Sequence, residues 1–208
     1  MLKCWRPKRV QHTSSQVLTM LLRSLLLLAL LSANDVTLLS ASASKDGMEQ
    51  ELDYLKKNSE KTRPDPRPVQ FTEQEINAFV AGGGVKLPAG VQSLRFQGRA
   101  GVITAFAKVN FDQVRAGSHS YNPLLSVFSG LHDVVVVAHG EATHGEAKIH
   151  VDSVSLDEVE VPNFVLSLFV EKFIQPKHPE LGIDSRFPLP ERIDSAIIGE
   201  RLLTVQQK

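Results

Sequence analysis

Between Pro162 and Pro176 the chain carries thirteen residues, of which only Asn163, Ser167, Glu171, Lys172 and Gln175 are polar. These polar residues fall almost entirely on one narrow i,i+4 stripe of a helix. Phe164, Val165, Leu166, Leu168, Phe169, Val170, Phe173 and Ile174 fill the rest. Proline suits the first position of a helix, and a second proline stops one. A helix is therefore expected over Pro162–Gln175. A surface helix buries an apolar stripe roughly 100° wide; here well over half the circumference is apolar. Either a sheet wraps around this helix, or something apolar besides the sheet covers it.

The sheet is legible upstream. From Val91 the apolar period becomes two: Leu94 and Phe96 alternate with Arg95 and Gln97, and Arg99-Ala100-Gly101 makes a turn. The return strand places Ile103, Ala105, Ala107, Val109 and Phe111 on one face. Thr104, Lys108, Asn110 and Asp112 take the other, with Phe106 as an apolar exception. This is the pattern of a half-buried antiparallel strand. A second hairpin centres on His144-Gly145, because glycine supplies the positive φ of a tight turn. Counting outwards pairs Thr143 with Glu146, Ala142 with Ala147, Glu141 with Lys148, Gly140 with Ile149 and His139 with His150. A last hairpin, Ile193–Ile198 and Arg201–Val205, is expected to turn at Gly199-Glu200. Residues 121–131, including Leu124, Leu125, Val127 and Phe128, form an apolar connector.

In Phe71-Thr-Glu-Gln-Glu-Ile-Asn-Ala-Phe79, Thr72 and Glu75 have capping-box spacing, and Phe71 and Ile76 can form the hydrophobic staple. A short helix is predicted over Thr72–Ala81, ended by Gly82-Gly83-Gly84. Asn77 within it reads as a structural residue that bonds a neighbouring backbone. Met48, Leu52 and Leu55 have helical spacing, and Arg63-Pro-Asp-Pro-Arg-Pro68 ends that helix. Residues 44–70 thus read as a weak helix and a Pro-rich linker, followed by a single α+β domain over 71–208.

The first 43 residues read as a signal peptide: a basic start, an apolar run from Leu25 to Leu31, and Ala41-Ser42-Ala43 as a small-x-small site. The start codon is either Met1 or Met20, and an uncleaved leader would be a membrane anchor. Of 23 basic and 23 acidic residues, five basic and one acidic lie in this leader, so the remainder has 18 and 22, a net charge of −4. No basic footprint for nucleic acid remains. Cys4 and Trp5 also lie in the leader, which excludes a disulfide scaffold or a cysteine nucleophile downstream.

Catalytic motifs are not found. There is no Gly-x-Ser-x-Gly elbow, no Walker A and no dinucleotide glycine fingerprint, and no cofactor is indicated. His139, Glu141, His150 and Asp152 share one strand face, and two imidazoles with a carboxylate suit zinc. HxE and HxD are weak patterns, however, and a solvated sheet face explains the four residues as well. The chain reads as a non-enzyme.

The order of these signals resembles a known group. The Phe71–Ala78 segment, the Leu87-Pro-Ala-Gly90 turn, the Val161-Pro162-Asn163 helix start and Phe187-Pro-Leu-Pro190 before a final hairpin resemble small exported bacterial proteins. Those proteins are similar to the tubular lipid-binding (TULIP-like) superfamily, and the resemblance covers roughly residues 70–207. It implies a strongly bent antiparallel sheet packed around the apolar helix, enclosing a groove. By that reading Phe164, Leu168, Phe169 and Phe173 from the helix, and Phe106 and Phe111 from the sheet, line a lipid groove. The implied function is binding of a lipid or other amphiphile at the bacterial envelope, in the periplasm or outside the cell, with an envelope protein or membrane surface as a further partner. The alternative is a structural or assembly protein with no small-molecule ligand.

Overall fold

The computed structural model describes residues 39–116, 126, 128–176 and 178–208, with side chains from Asp46 onward. The leader apart from its last few residues, and most of the 121–131 connector, lie outside the described residues.

The first described helix, α1 (Leu39–Ser59), brings Met48 and Leu55 into full burial, with Leu52 packed beside them. They join the same buried cluster as Phe71, Phe96 and Leu203. The 44–70 segment read from the sequence as a weak helix and linker is therefore part of the folded core. Its Pro-rich stretch is tied down by Asn58, which is 0% exposed. The Asn58 amide donates to the Asp65 carbonyl at 2.9 Å and to Gln207 Oε1 at 2.8 Å, while its oxygen accepts from Asp65 N at 2.9 Å. Gln207 Nε2 in turn donates to the Leu55 carbonyl at 2.8 Å. Tyr54 completes the clasp: its hydroxyl donates to Asp65 at 3.1 Å, and the Arg67 guanidinium lies 4.4 Å from its ring centre.

After β1 (Val69–Thr72) comes α2 (Glu73–Ala81), with Thr72 as the cap and the reciprocal Thr72–Glu75 capping box in place. Phe71 and Ile76 flank it, both buried. Strands β2 (Val91–Arg99) and β3 (Val102–Asn110) form the first hairpin. Asn77 of α2 donates to the Phe96 carbonyl at 3.0 Å and accepts from Phe96 N at 2.8 Å. It thus satisfies outward-facing backbone groups of the edge strand β2, which guards against pairing with another chain.

The strand expected to run through Phe111 stops at Asn110, whose side chain accepts from Asp112 N and Gln113 N and starts a single turn, α3 (Phe111–Val114). Phe111 is nonetheless buried in the cluster that holds Val109.

Strands β4 (Leu131–Thr143) and β5 (Glu146–Leu156) make the long central hairpin. The five cross-strand pairs read from the sequence are those observed. His144 and Gly145 both have positive φ, 55° and 77°, as a type I′ turn requires. Beyond Ala138 the register shifts at a bulge, and Asp152 is the residue left over. On its far side β5 pairs with β6 (Val159–Glu160) and β7 (Asp184–Pro188).

The last hairpin is β8 (Ile193–Gly199) with β9 (Leu202–Gln207). It turns at Glu200-Arg201, one residue later than expected. That register sets Ile198 against Leu203 and Ala196 against Val205, so that four buried residues face each other in pairs. A turn at Gly199-Glu200 would have set Ile198 against Arg201.

The result is an α+β fold with an open, antiparallel nine-stranded sheet among the described residues, in the order β1-β9-β8-β4-β3-β2, with β5 branching from β4. Strands β3 and β8 share one edge of β4, and the β2–β3 turn lies between them: Gly101 N donates to the Ile198 carbonyl and Gly140 N to the Gly101 carbonyl, both at 3.0 Å. A Cβ at Gly140 would lie 2.9 Å from the tip of the Ile198 side chain, which would have to move aside to admit it. Two buried clusters cover one face of the sheet. The first gathers α1, α2 and β8–β9; the second gathers Val109, Val134 and Val154 with the helix after β6.

Candidate functional site: an aromatic cluster on the second core

Pro162 opens the expected helix, α4 (Asn163–Phe169), which continues as a π-helical turn over Val170–Ile174. The wider turn is marked by Gln175 N donating to the Val170 carbonyl at 2.9 Å. Phe169 and Phe173 lie a turn apart on the buried side, ring centres 5.2 Å apart. Phe111 meets Phe169 edge-on at 5.6 Å, and Phe128 lies 4.2 Å from Phe169 and 5.3 Å from Phe111. Such pairs contribute about 0.5–1.5 kcal/mol each beyond the area they bury.

Three of the six residues expected to line a groove, Phe111, Phe169 and Phe173, therefore meet in one cluster, and Leu168 packs partly buried against it. Phe164 does not: it is 62% exposed. Phe106 sits on the other face of the sheet, as strand parity requires, with the Arg95 guanidinium 4.2 Å from its ring centre. Phe128 is the member sequence reasoning missed. It lies in the apolar connector, where no periodicity marks one side chain as inward.

Leu131 is 51% and Val159 71% exposed. Val159 and Phe164 lie where β5 turns into β6 and α4 starts, whereas Leu131, paired with Asn110, faces the other side of the sheet from Val109 and the cluster. Phe164 and Leu168 are one turn apart on α4, so the exposed Phe164 leads onto the partly buried Leu168 and the rings behind it.

The histidine face has a different construction from a zinc site. His139 Nδ1 lies 2.6 Å from Asp152, and His150 Nδ1 lies 2.7 Å from Asp184 of β7. The Asp184 hydrogen bond raises the His150 pKa above its ordinary value. Glu141 stands opposite Lys148. Among the described residues no group of three or more His, Cys, Asp or Glu is placed to hold a metal ion.

The other unusual ionisable group is Glu73, the first residue of α2, only 4% exposed. Its Oε2 has no hydrogen-bond partner, and the nearest cation, Arg201, is 3.9 Å away. Burial pushes its pKa from 4.5 up to about 7, against the opposing pull of Arg201 and Arg95. A carboxyl whose folded pKa is raised is a cost to the folded state that is absent below its unfolded pKa and complete above its folded one. Glu73→Gln is therefore expected to stabilise the protein by roughly 1–3 kcal/mol at about pH 8 and hardly at all near pH 4. Denaturant melts at the two pH values check this.

No family model, curated protein or solved structure matches this chain. Among the described residues no helix is long and apolar enough to cross a membrane.

Proposed function

We propose that this is an exported envelope protein that binds a lipid or other amphiphile at the α4 surface and performs no catalysis. The observation that carries the reading is the exposed pair Val159 and Phe164 where β6 leads into α4, with Leu168 one turn on from Phe164 and four packed phenylalanine rings behind it. Exposed large side chains are ordinary when scattered; gathered at one end beside an aromatic cluster they suit an apolar ligand. The basic and apolar leader supports export. In this reading the sheet bends around α4, as the resemblance to tubular lipid-binding proteins implies. The acyl portion of the ligand lies along Phe164 and Leu168, while Phe169, Phe173 and Phe111 form the floor beneath it. Phe106, on the opposite face, takes no part.

The test is saturable binding of the uncharged fluorophore N-phenyl-1-naphthylamine. Wild-type protein is expected to bind it, and Phe164→Asp to weaken binding about tenfold or more without shifting the unfolding midpoint, since an exposed site changes stability by about 0.5 kcal/mol or less. Absence of saturable binding, or binding indifferent to Phe164→Asp, would favour the envelope assembly protein instead.

A further inference from the structure

His132, near the start of β4, stands beside the aromatic cluster, its ring centre 5.9 Å from that of Phe111. Its Nδ1 lies 2.6 Å from Asp157 Oδ2 in the β5–β6 turn, and its Nε2 lies 2.7 Å from the Ser129 carbonyl oxygen. A carboxylate and a carbonyl can only accept, so both ring nitrogens must donate, and the geometry is that of an imidazolium. A neutral ring has one N–H. The carboxylate is the stronger acceptor and keeps it. Nε2 then turns a lone pair toward the Ser129 carbonyl, and that contact becomes repulsive.

The surrounding charges favour the cation. Asp157 also accepts from Asp133 N at 2.9 Å, and Glu158 follows it in the turn. Asp112 of α3 adds its charge while pairing with Arg115 at 2.9 Å. Lys108 of β3 is engaged by Asp133 at 2.7 Å. The Asp157 hydrogen bond first, then the Ser129 carbonyl, hold the His132 pKa above the usual 6.5.

The Ser129 tether bears directly on the cluster. Ser129 follows Phe128, which is buried against Phe169 and Phe111. Gly130 is held independently, donating to Asp112 at 3.2 Å and accepting from Phe111 N at 2.8 Å. The Ser129 hydroxyl donates to the nearby Ser126 carbonyl at 2.7 Å. We infer that protonated His132 latches Phe128 and Ser129 over the aromatic cluster, and that loss of its proton frees Phe128 and opens the cluster to an amphiphile. The last step rests on the proposed function; the latch itself does not. A raised histidine pKa places the closed state at and below 6.5, with release as pH rises through the folded value.

Hydrogen exchange at Phe128 and Ser129, corrected for intrinsic rates, reads the latch without any ligand. Protection in the wild type is expected to fall about tenfold from about pH 6 to about pH 9, the factor one charge-assisted hydrogen bond supplies. In His132→Leu it should be low at both pH values, with Glu73 still free to titrate. Ring nitrogen shifts of wild-type His132 give a second reading that needs no variant: both nitrogens protonated near pH 6, titrating above 6.5. Protection independent of pH, or a neutral ring near pH 6, would overturn the latch. If protection falls as expected while N-phenyl-1-naphthylamine binds at neither pH, the latch stands and the amphiphile reading fails.

Discussion

Phe169→Ala should cost roughly 3–5 kcal/mol of folding stability, read as a lowered denaturation midpoint at unchanged slope. The ring is 7% exposed and touches the rings of Phe111, Phe128 and Phe173, so its removal leaves a void bounded on several sides. None of those neighbours can collapse into the space without leaving its own contacts, which places the cost toward the upper part of the range. For a domain whose total is about 5–15 kcal/mol, this is a large fraction. A loss of about 1 kcal/mol or less would mean that the ring faces open space, filled by ligand rather than by protein.

Asn58→Ala should cost about 2–4 kcal/mol, through a different mechanism. Asn58 is wholly buried and serves three hydrogen bonds, to both backbone groups of Asp65 and to Gln207. Truncation leaves those partners dry and unpaired, and each unsatisfied buried group costs about 1–3 kcal/mol unless water replaces the side chain. Because Gln207 also holds the Leu55 carbonyl, the loss should loosen α1 and the Pro-rich stretch together. Proteolysis between Ser59 and Pro68 should accelerate in the variant. Resistance equal to wild type would show that apolar packing of Met48 and Leu55 alone fixes this segment.

The elements that could be read from sequence were those in which a local rule and the tertiary contacts agree. The His144-Gly145 turn fixes a two-residue hairpin, and alternation along β4 and β5 then leaves only one register that keeps Ala142 and Ala147 buried. Thr72 and Glu75 define the start of α2 within four residues of chain. Phe106 could be placed opposite Val109 by parity alone. Where the deciding partner is distant, the sequence is silent. The role of Asn58 depends on Gln207, 149 residues later, so residues 44–70 looked like a spacer. The strand β3 was carried two residues too far, through Phe111 and Asp112, because the side chain of Asn110, its last residue, caps the next turn. The turn of β8–β9 was likewise decided by the burial of Ile198 and Leu203, not by Gly199.

Much of the candidate site was visible as an apolar helix, but its geometry was not. Composition shows that α4 is apolar nearly all round; it cannot show that Phe169 and Phe173 turn inward while Phe164, five residues earlier, faces solvent. Nor could spacing reveal the His132 bridge, whose two acceptors come from segments on either side of β4 and β5.

The central claim is that the apolar end of this molecule holds an amphiphile. It is tested most directly by purifying the protein from envelope extracts without detergent and recording native mass spectra before and after organic extraction. The account predicts a bound species in the lipid mass range that extraction removes, at no more than one per chain, and that is depleted in Phe164→Asp. A single apo mass in both the wild type and the variant, from protein that is folded by its melting curve, would contradict it.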